Sequence, residues 1–557
     1  MQSNQKQSAA HALLSVFALN GIDRVFLVPG ESYLAVLDAL HDFPQIDVVT
    51  CRHEAGAGFM ACADGRLTRR PAVVMVSRGP GASNAAIAVH TAQQDAIPLI
   101  LLVGQVPKAD LRREAFQEID YGKMYGSIAK WVVEASAPQQ LPELAFKAVR
   151  VATSGTPGPV VVVIPEDVQQ HAVDVDVATW VAPPSAASTP STAAVQRLRG
   201  LLEAAQRPLL IAGGAFDQTG GREALRAFAH AWQIPVAVSF RRQDLFPARD
   251  PLYVGDLGLA NPSQQLDAFH SSDLIVALGT RLGDITTQGY SFPKLPRPAQ
   301  TLVHCYPDDH YVGQHFAADL GIVCDPVMLV EAAMPVEAAM PTGHPSIPAE
   351  RVRWTQRLRA IYEEIAAWPR AEAGPGVEFS ELVRALARRA TSDMIVCLDA
   401  GTFAAPVYRH FPFEYPQRLM APLSGAMGYG TPSAIAAQLR QPKAKVVCLV
   451  GDGGFLMTGN EMITAVERNL PIVFIVSNND CYGSIRLHQQ RDYPGRYVGT
   501  SLSNPDFVRL AEAFGVTAQR VERHEQIEIA LDRALAAERP YFIEVRSRLS
   551  GAPPRGD

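Results

Sequence analysis

The sequence predicts an α/β fold made of three parallel-sheet domains. Short apolar runs alternate with helical patterns along nearly the whole chain, the mark of parallel strands joined by helices. Two Pro-, Ser- and Ala-rich stretches, 182–192 and 332–349, interrupt that alternation and read as linkers. At 557 residues the chain is also too long for one hydrophobic core.

The first block (1–181) carries strand-like runs at 24–28, 72–76, 99–103 and 160–164, with a further strand near 47–51. The second (193–335) has runs at 208–212, 235–238, 274–278 and 301–304. An irregular stretch with prolines at 335, 341, 345 and 348 follows. The third block (372–557) has runs at 394–398, 446–450 and 471–476. The first and third blocks are similar in length and layout, and no short tandem repeat is present.

Composition excludes several functions. Charged residues make up 19% of the chain, against about 25% in typical soluble proteins, which fits burial of surface against partner subunits. A net charge of −6 and a pI near 6.2 give no reason to expect nucleic-acid or anionic-membrane binding. The polar start, 1–8, lacks the apolar core of a signal peptide, and no apolar run reaches the roughly 18 residues of a membrane span. Seven dispersed cysteines without a C-x-x-C pair read as reduced thiols in a cytoplasmic protein.

The third block holds the most informative segment. Its run 445–450 ends in Gly451, Asp452, Gly453 and Gly454; a helical segment follows at about 458–469, and the run 471–476 ends in Ser477, Asn478 and Asn479. If the two runs are neighbouring parallel strands, their C-terminal ends lie side by side, where open α/β sheets bind ligands. Glycines let backbone N–H groups approach phosphate oxygens, and a helix N-terminus favours negative charge. Asp452 and Asn479 offer hard oxygen ligands, as an octahedral magnesium bridging a diphosphate requires. A G-D-G alone is a common tight turn; strand, G-D-G, helix, strand and N-N in order is a far more specific pattern.

This module resembles the thiamine diphosphate signature, including the 24 residues between Gly453 and Asn478, and the resemblance covers nearly the whole chain. It implies the thiamine diphosphate-dependent fold, with pyrimidine-binding, central and diphosphate-binding domains in that order. It implies that Asp452, the Asn479 side chain and the Cys481 carbonyl bind Mg2+. Gly451, Gly453, Gly454, Tyr482, Gly483 and Ser484 would lie near the diphosphate, Gly401 and Thr402 would add contacts from the preceding strand end, and Gly30 would lie against the cofactor.

Arg52, His53, Glu54, Ala55 and Gly56 resemble the family's R-H-E-A-G-A segment. By itself Glu54 reads as a first-turn helix acid favoured by the dipole. The resemblance makes it the catalytic glutamate that donates to the cofactor's aminopyrimidine ring from a dry cleft. Ser424, Gly425, Ala426, Met427 and Gly428 resemble the segment that keeps the cofactor bent. Met427, alone a core residue, would wedge between the two rings, and the Gly425 carbonyl would accept from the amino group. In the family this glutamate acts on a cofactor held by another subunit. The resemblance therefore implies a homodimer as the minimum active unit, assembled as a homotetramer.

Within the family the likeness is closest to the acetolactate synthase and pyruvate oxidase branch. The stretch from Val76 to Asn84 resembles its glycine-rich turn, and Ala115, Phe116, Gln117 and Glu118 its A-F-Q-E motif. Gln117 would then donate to a substrate carbonyl or carboxylate; a helix-surface glutamine is the plain alternative. The paired histidines of pyruvate decarboxylases are missing. His488 stands where acetolactate synthases carry a tryptophan, and Arg78 where a serine is usual. Arg78 and Arg486 could clamp a carboxylate bidentately or pair with a local acid. The segment from Gly279 to Asp284 resembles one that contacts FAD, but many relatives keep this domain without a nucleotide. The expectation is a domain without FAD, with FAD as the alternative.

The function implied is a thiamine diphosphate- and Mg2+-dependent, acetolactate synthase-like carboligase. It would decarboxylate a 2-keto acid such as pyruvate and transfer the acyl carbanion unit to a second carbonyl. A non-oxidative 2-keto acid decarboxylase or C–C lyase is the alternative. A non-catalytic nucleotide-binding or regulatory subunit is the third reading, and would be expected to lose Glu54, Asp452 or Asn479, all present here.

Overall fold

Three six-stranded sheets, each wholly parallel, organise the computed structural model, which describes residues 7–183, 187–335, 347–370 and 376–549. The N-terminal sheet holds β1 (Arg24–Leu27), β2 (Asp47–Thr50), β3 (Ala72–Val76), β4 (Leu99–Gln105), β5 (Trp131–Glu134) and β6 (Pro159–Pro165), in the order β2-β1-β3-β4-β6-β5. The central sheet holds β7 (Pro208–Ala212), β8 (Val236–Ser239), β9 (Tyr253–Leu257), β10 (Leu274–Leu278), β11 (Thr301–Tyr306) and β12 (Leu320–Val323), ordered β9-β8-β7-β10-β11-β12. The C-terminal sheet holds β13 (Ile395–Leu398), β14 (Arg418–Met420), β15 (Val446–Gly451), β16 (Val473–Asn478), β17 (Thr517–Val521) and β18 (Tyr541–Arg546). Its order, β14-β13-β15-β16-β18-β17, repeats the connection pattern of the N-terminal sheet.

Inner strands such as Pro159–Pro165 are buried along their whole length, because helices cover both faces of a parallel sheet. All the inner strands but one coincide with expected apolar runs. The exception is β18, where the buried Glu544 interrupts the run and accepts from Asn478 Nδ2 and Arg520 Nε, both at 2.7 Å. Five of the six edge strands were not expected. In β12 the residues alternate between buried and exposed, while β9 is short of a continuous apolar run because Gly255 and Asp256 interrupt it.

The expected helix at 458–469 begins earlier. Asp452 is already helical in Asp452–Thr458; a 3-10 turn, Gly459–Glu461, breaks the axis, and Met462–Glu467 completes the segment. At the break Phe455 folds back so closely that a Cβ on Gly459 would lie 2.8 Å from its ring, which leaves room for glycine alone. Each linker ends where a helix begins. Helix Thr192–Ala204 starts at the end of the first, capped by Ser191. Helix Ala349–Ala366 starts at the end of the second and packs on the central sheet, with Trp354 donating to the Pro208 carbonyl at 2.8 Å. Residues 1–6 of the polar start, 184–186 of the first linker and 336–346 of the second lie outside the described residues.

The N- and C-terminal domains share one hydrophobic core. Helices Glu54–Thr68 and Gly430–Arg440 meet through small residues, and Phe59 packs edge-on against Tyr429 with centroids 5.6 Å apart. The central domain is tied in by buried charge. Asp217 accepts from Arg418 at 2.7 and 2.9 Å and from Arg222 at 3.3 Å, with Arg66 3.6 Å away. These residues come from all three domains. Burial alone would raise the Asp217 carboxyl, but Arg418, Arg222 and Arg66 hold it far below the usual range. All seven cysteines are unbridged, and no described helix is long and apolar enough to cross a membrane.

Candidate functional site

The C-terminal ends of β13, β15 and β16 lie level, with Leu398 beside Leu449 and Gly451 beside Ser477. The chain therefore brings the residues after each strand to one edge. Thr402 donates its N–H to Ser484 Oγ at 3.1 Å. A Cβ on Gly483 would lie 3.2 Å from Asn479 Nδ2 and 3.3 Å from Thr402 Oγ1, so two polar groups converge on that glycine, with Leu549 Cδ1 nearer still at 2.8 Å. Gly453 is required by close approach, because a Cβ there would come within 2.5 Å of the Tyr482 ring. The loop beyond β16 is pinned by Tyr482 N–H to the Thr500 carbonyl and Leu502 N–H to the Asp480 carbonyl, both at 2.8 Å.

Asp452 stands at the head of this edge, almost fully buried. Burial raises its carboxyl, although Asn504 Nδ2 donates to it at 2.8 Å, and among the described residues no lysine or arginine forms an ion pair with it. Asn479 Oδ1 accepts the Cys481 N–H at 3.2 Å, which folds the backbone of 479–481 into a tight turn. A buried carboxylate short of positive charge, beside a side-chain amide and the carbonyls of a tight turn, fits a hard divalent cation. The polar hydroxyls and glycines around Gly483 fit an anionic group next to it.

Asp399, directly after β13, is wholly buried and organises the neighbouring segment. Its carboxylate accepts the N–H of Gly428 at 2.9 and 3.0 Å, of Gly430 at 3.1 Å and of Ala400 at 2.7 Å. Burial pushes this carboxyl up to about 6, against the pull of those N–H groups. Gly425, at φ +68°, faces open space, and Met427 is half-buried between Gly425 and the anchored Gly428.

A second cluster forms at the C-terminal edge of the N-terminal sheet, after β1 to β4. Glu54 begins helix Glu54–Thr68 and its Oε2 accepts from Asn84 Nδ2 at 2.9 Å. Gly81, on the same helix as Asn84, leaves room for Glu54 Oε1, which would be 3.3 Å from a Cβ there. Gly79 abuts Gln117 on the loop after β4, and Gly30, after β1, abuts Ser77. Gln117 is held at φ +65°, not in the helix of the plain alternative.

The two arginines are both engaged. Arg78 pairs with Glu166 and donates from Nε to the Phe116 carbonyl at 3.2 Å. Arg486 lies over the Tyr497 ring, 3.7 Å from its centroid, and Nη1 reaches Thr500 Oγ1 at 3.4 Å. His488 is exposed and 3.1 Å from Arg491 Nη2. The segment from Gly279 to Asp284 lines a cavity of about 940 Å³ at the junction of the domains. Arg242 lines it as well, with Nη1 buried and unpartnered. Burial and the nearby Arg66 push that guanidinium down to about 10, against the pull of Asp95, Asp217 and Asp244.

Sequence reasoning missed Asn504, which bridges Asp452 to Asn478 Oδ1, and the anchoring role of Asp399. It also missed Glu461, whose carboxylate accepts the N–H groups of Arg52 and His53. Asp399 left a signal, an acid directly after an apolar run; the other two left none, since their partners are distant in sequence.

Comparison with known proteins supports the three-domain fold. Residues 7–124 match the N-terminal TPP binding domain of the thiamine pyrophosphate enzymes, 195–333 their central domain and 399–545 their C-terminal TPP binding domain. The chain is 30% identical to the acetolactate synthase isozyme 2 large subunit of Escherichia coli (strain K12), over 97% of this chain and 95% of that one. It is 32% identical to the acetolactate synthase large subunit of Parasynechococcus marenigrum (strain WH8102), over 98% and 88%. With the mitochondrial acetolactate synthase catalytic subunit of Saccharomyces cerevisiae it shares 29%, over 94% and 78%.

Proposed function

The chain belongs to the thiamine pyrophosphate-dependent enzymes of the acetolactate synthase type, and on that premise we propose that it is a Mg2+-dependent carboligase. Its reaction would decarboxylate a 2-keto acid such as pyruvate and join the remaining unit to a second carbonyl compound. The observation that carries this reading is the convergence of Asp452, Asn479, Thr402 and Ser484 at one sheet edge, with the Met427 segment anchored beside it.

Asp452, the Asn479 side chain and the Cys481 carbonyl would hold Mg2+. Gly401, Thr402, Gly451, Gly453, Gly454, Tyr482, Gly483 and Ser484 would surround the diphosphate, with Gly30, Gly425 and Met427 against the rest of the cofactor. Thiamine diphosphate, when bound, supplies the nucleophilic carbon that the side chains lack. Asn84 fixes one oxygen of Glu54, which leaves Oε1 to hold a proton for the aminopyrimidine ring. Gln117 would donate its amide to the substrate carbonyl, and Arg486 would offer a cation to the carboxylate, with His488 nearby in sequence.

By family membership we infer a site completed by a second copy: a homodimer at least, and a homotetramer as the assembly. The cavity beside Arg242 is large enough for a nucleotide, and the Nη1 of Arg242, without a hydrogen-bond partner while Nη2 lies 3.7 Å from Asp95, suits a phosphate. This favours an occupied central domain, FAD included, over the empty one expected from the sequence. An absorption spectrum and extraction of bound nucleotide from purified protein test it.

The reaction itself is tested by incubating the holoenzyme with pyruvate and a panel of aldehydes and 2-keto acids, with products identified by mass spectrometry. An acetolactate- or acetoin-type product is expected. Acetaldehyde alone would replace the carboligase with a decarboxylase.

A further inference from the structure

The turn at Arg78 and Gly79 grips the loop that carries Gln117 at two points. The Arg78 Nε donates to the Phe116 carbonyl at 3.2 Å, and its Nη1 pairs with Glu166, the first residue of helix Glu166–Gln170. One residue on, the backbone of Gly79 lies so close that a Cβ would come within 2.7 Å of the Gln117 carbonyl oxygen. The Arg78 side chain is only 13% exposed, so this pairing is better shielded from water and salt than a surface pair.

The loop needs such a grip. Arg112, Glu114 and Gln117 all sit at positive φ, 65°, 56° and 65°, which residues with side chains adopt only when their surroundings impose it. Glu118 holds the loop from within, accepting the N–H groups of Arg112 and Ala115. Lys108 N–H, bonded to Asp167 Oδ1 at 3.0 Å, fixes its start to the same short helix as Glu166. Arg78 holds its far end at Phe116, next to Gln117, and Gln105 Nε2 donates to the Ile119 carbonyl just beyond at 3.2 Å. The same turn opens helix Pro80–Asp95, whose Gly81 and Asn84 lie against Glu54.

We propose that Arg78 is a positioning residue, whose guanidinium links Phe116 to Glu166 and thereby sets the place of Gln117 relative to Glu54. This rests on the reading of Gln117 as the donor to substrate. The guanidinium suits the task because its planar fork reaches a carbonyl and a carboxylate at once, which a lysine ammonium on a flexible stem does not. A direct clamp on a substrate carboxylate is the competing role.

The test uses the full-length holoenzyme with thiamine diphosphate, Mg2+ and pyruvate, comparing Arg78→Ala, Arg78→Lys, Gln117→Ala and the double variant Arg78→Ala/Gln117→Ala. We expect Arg78→Ala to lower kcat for pyruvate consumption about tenfold or more with KM changed little, and to cost almost nothing further in the Gln117→Ala background. Hydrogen exchange at 112–118 should accelerate while the thermal shift given by thiamine diphosphate and Mg2+ is kept. Arg78→Lys should show the same kinetic loss in a protein as heat-stable as the wild type, which separates position from folding. The proposal is overturned if Arg78→Ala costs the same factor in both backgrounds, raises KM at unchanged kcat, or leaves exchange at 112–118 unaltered. If Gln117→Ala is as active as wild type, the reading of Gln117 falls, and the exchange result alone decides whether Arg78 holds the loop.

Discussion

The carboxylate of Glu461, in the C-terminal domain, accepts the backbone N–H of His53 at 2.9 Å, one residue before Glu54. The Arg52 N–H joins the same oxygen, also at 2.9 Å. A buried acid in one domain thus fixes the strand-to-helix turn that presents the catalytic candidate of another, and burial raises that acid's own carboxyl.

Replacing Glu461 by Ala leaves both N–H groups without their acceptor. An unmet buried donor costs about 1–3 kcal/mol, so the denaturant midpoint should fall by at least that equivalent. Glu461→Gln keeps one oxygen acceptor and should lose less. An Ala variant as stable and active as the wild type would show that the turn forms without this contact.

Glu54→Gln should lower turnover by about 10²–10⁴-fold while thiamine diphosphate and Mg2+ still raise Tm. Asp452→Ala should lose the Mg2+-dependent part of that Tm rise. If a second copy completes each site, mixed dimers of the two variants contain one fully wild-type site. Random mixing should then restore roughly a quarter of wild-type turnover. No recovery in verified mixed dimers would place both residues in one chain's site.

Asp399 makes stability depend on pH in a definite direction. Its folded carboxyl titrates at about 6, above the ordinary value of 3.8, so the folded state binds the proton more tightly. The favourable contribution is present at low pH and is lost as pH rises from about 4 to about 6. Stability of the cofactor-free protein, measured relative to Asp399→Asn, should therefore decline across that window by on the order of 3 kcal/mol. A flat difference would mean that the N–H groups of Gly428 and Gly430 outweigh burial.

Asp217 has the opposite sign. Its folded carboxyl is held below the ordinary value by Arg418, Arg222 and Arg66, so its contribution is present above about pH 4 and disappears as pH falls further. Asp217→Asn at neutral pH leaves those arginines underpaired at the junction of the three domains and should cost about 3–5 kcal/mol. The gap between the unfolding curves of the two proteins should narrow steadily as pH falls below about 4; curves that stay parallel would assign the junction's stability to packing.

By itself the sequence determined the three parallel sheets, nearly all of their inner strands and the residues that follow those strands. Inner strands are buried on both faces and so appear as unbroken apolar runs, with β18 escaping notice only because it carries Glu544. The loop residues Asp452, Asn479, Glu54 and Met427 were singled out by the resemblance of their local motifs to the thiamine diphosphate family. Alone, Glu54 reads as a helix-start acid and Met427 as a core residue. Tertiary structure decided the rest. Most edge strands, the anchoring of the Met427 segment by Asp399, the grip of Glu461 on residues 52 and 53, and the engagement of Arg78 with Glu166 depend on groups far apart in the chain. A charged side chain takes its role from the partner that satisfies it when water is excluded, and only the packed domains bring that partner into reach.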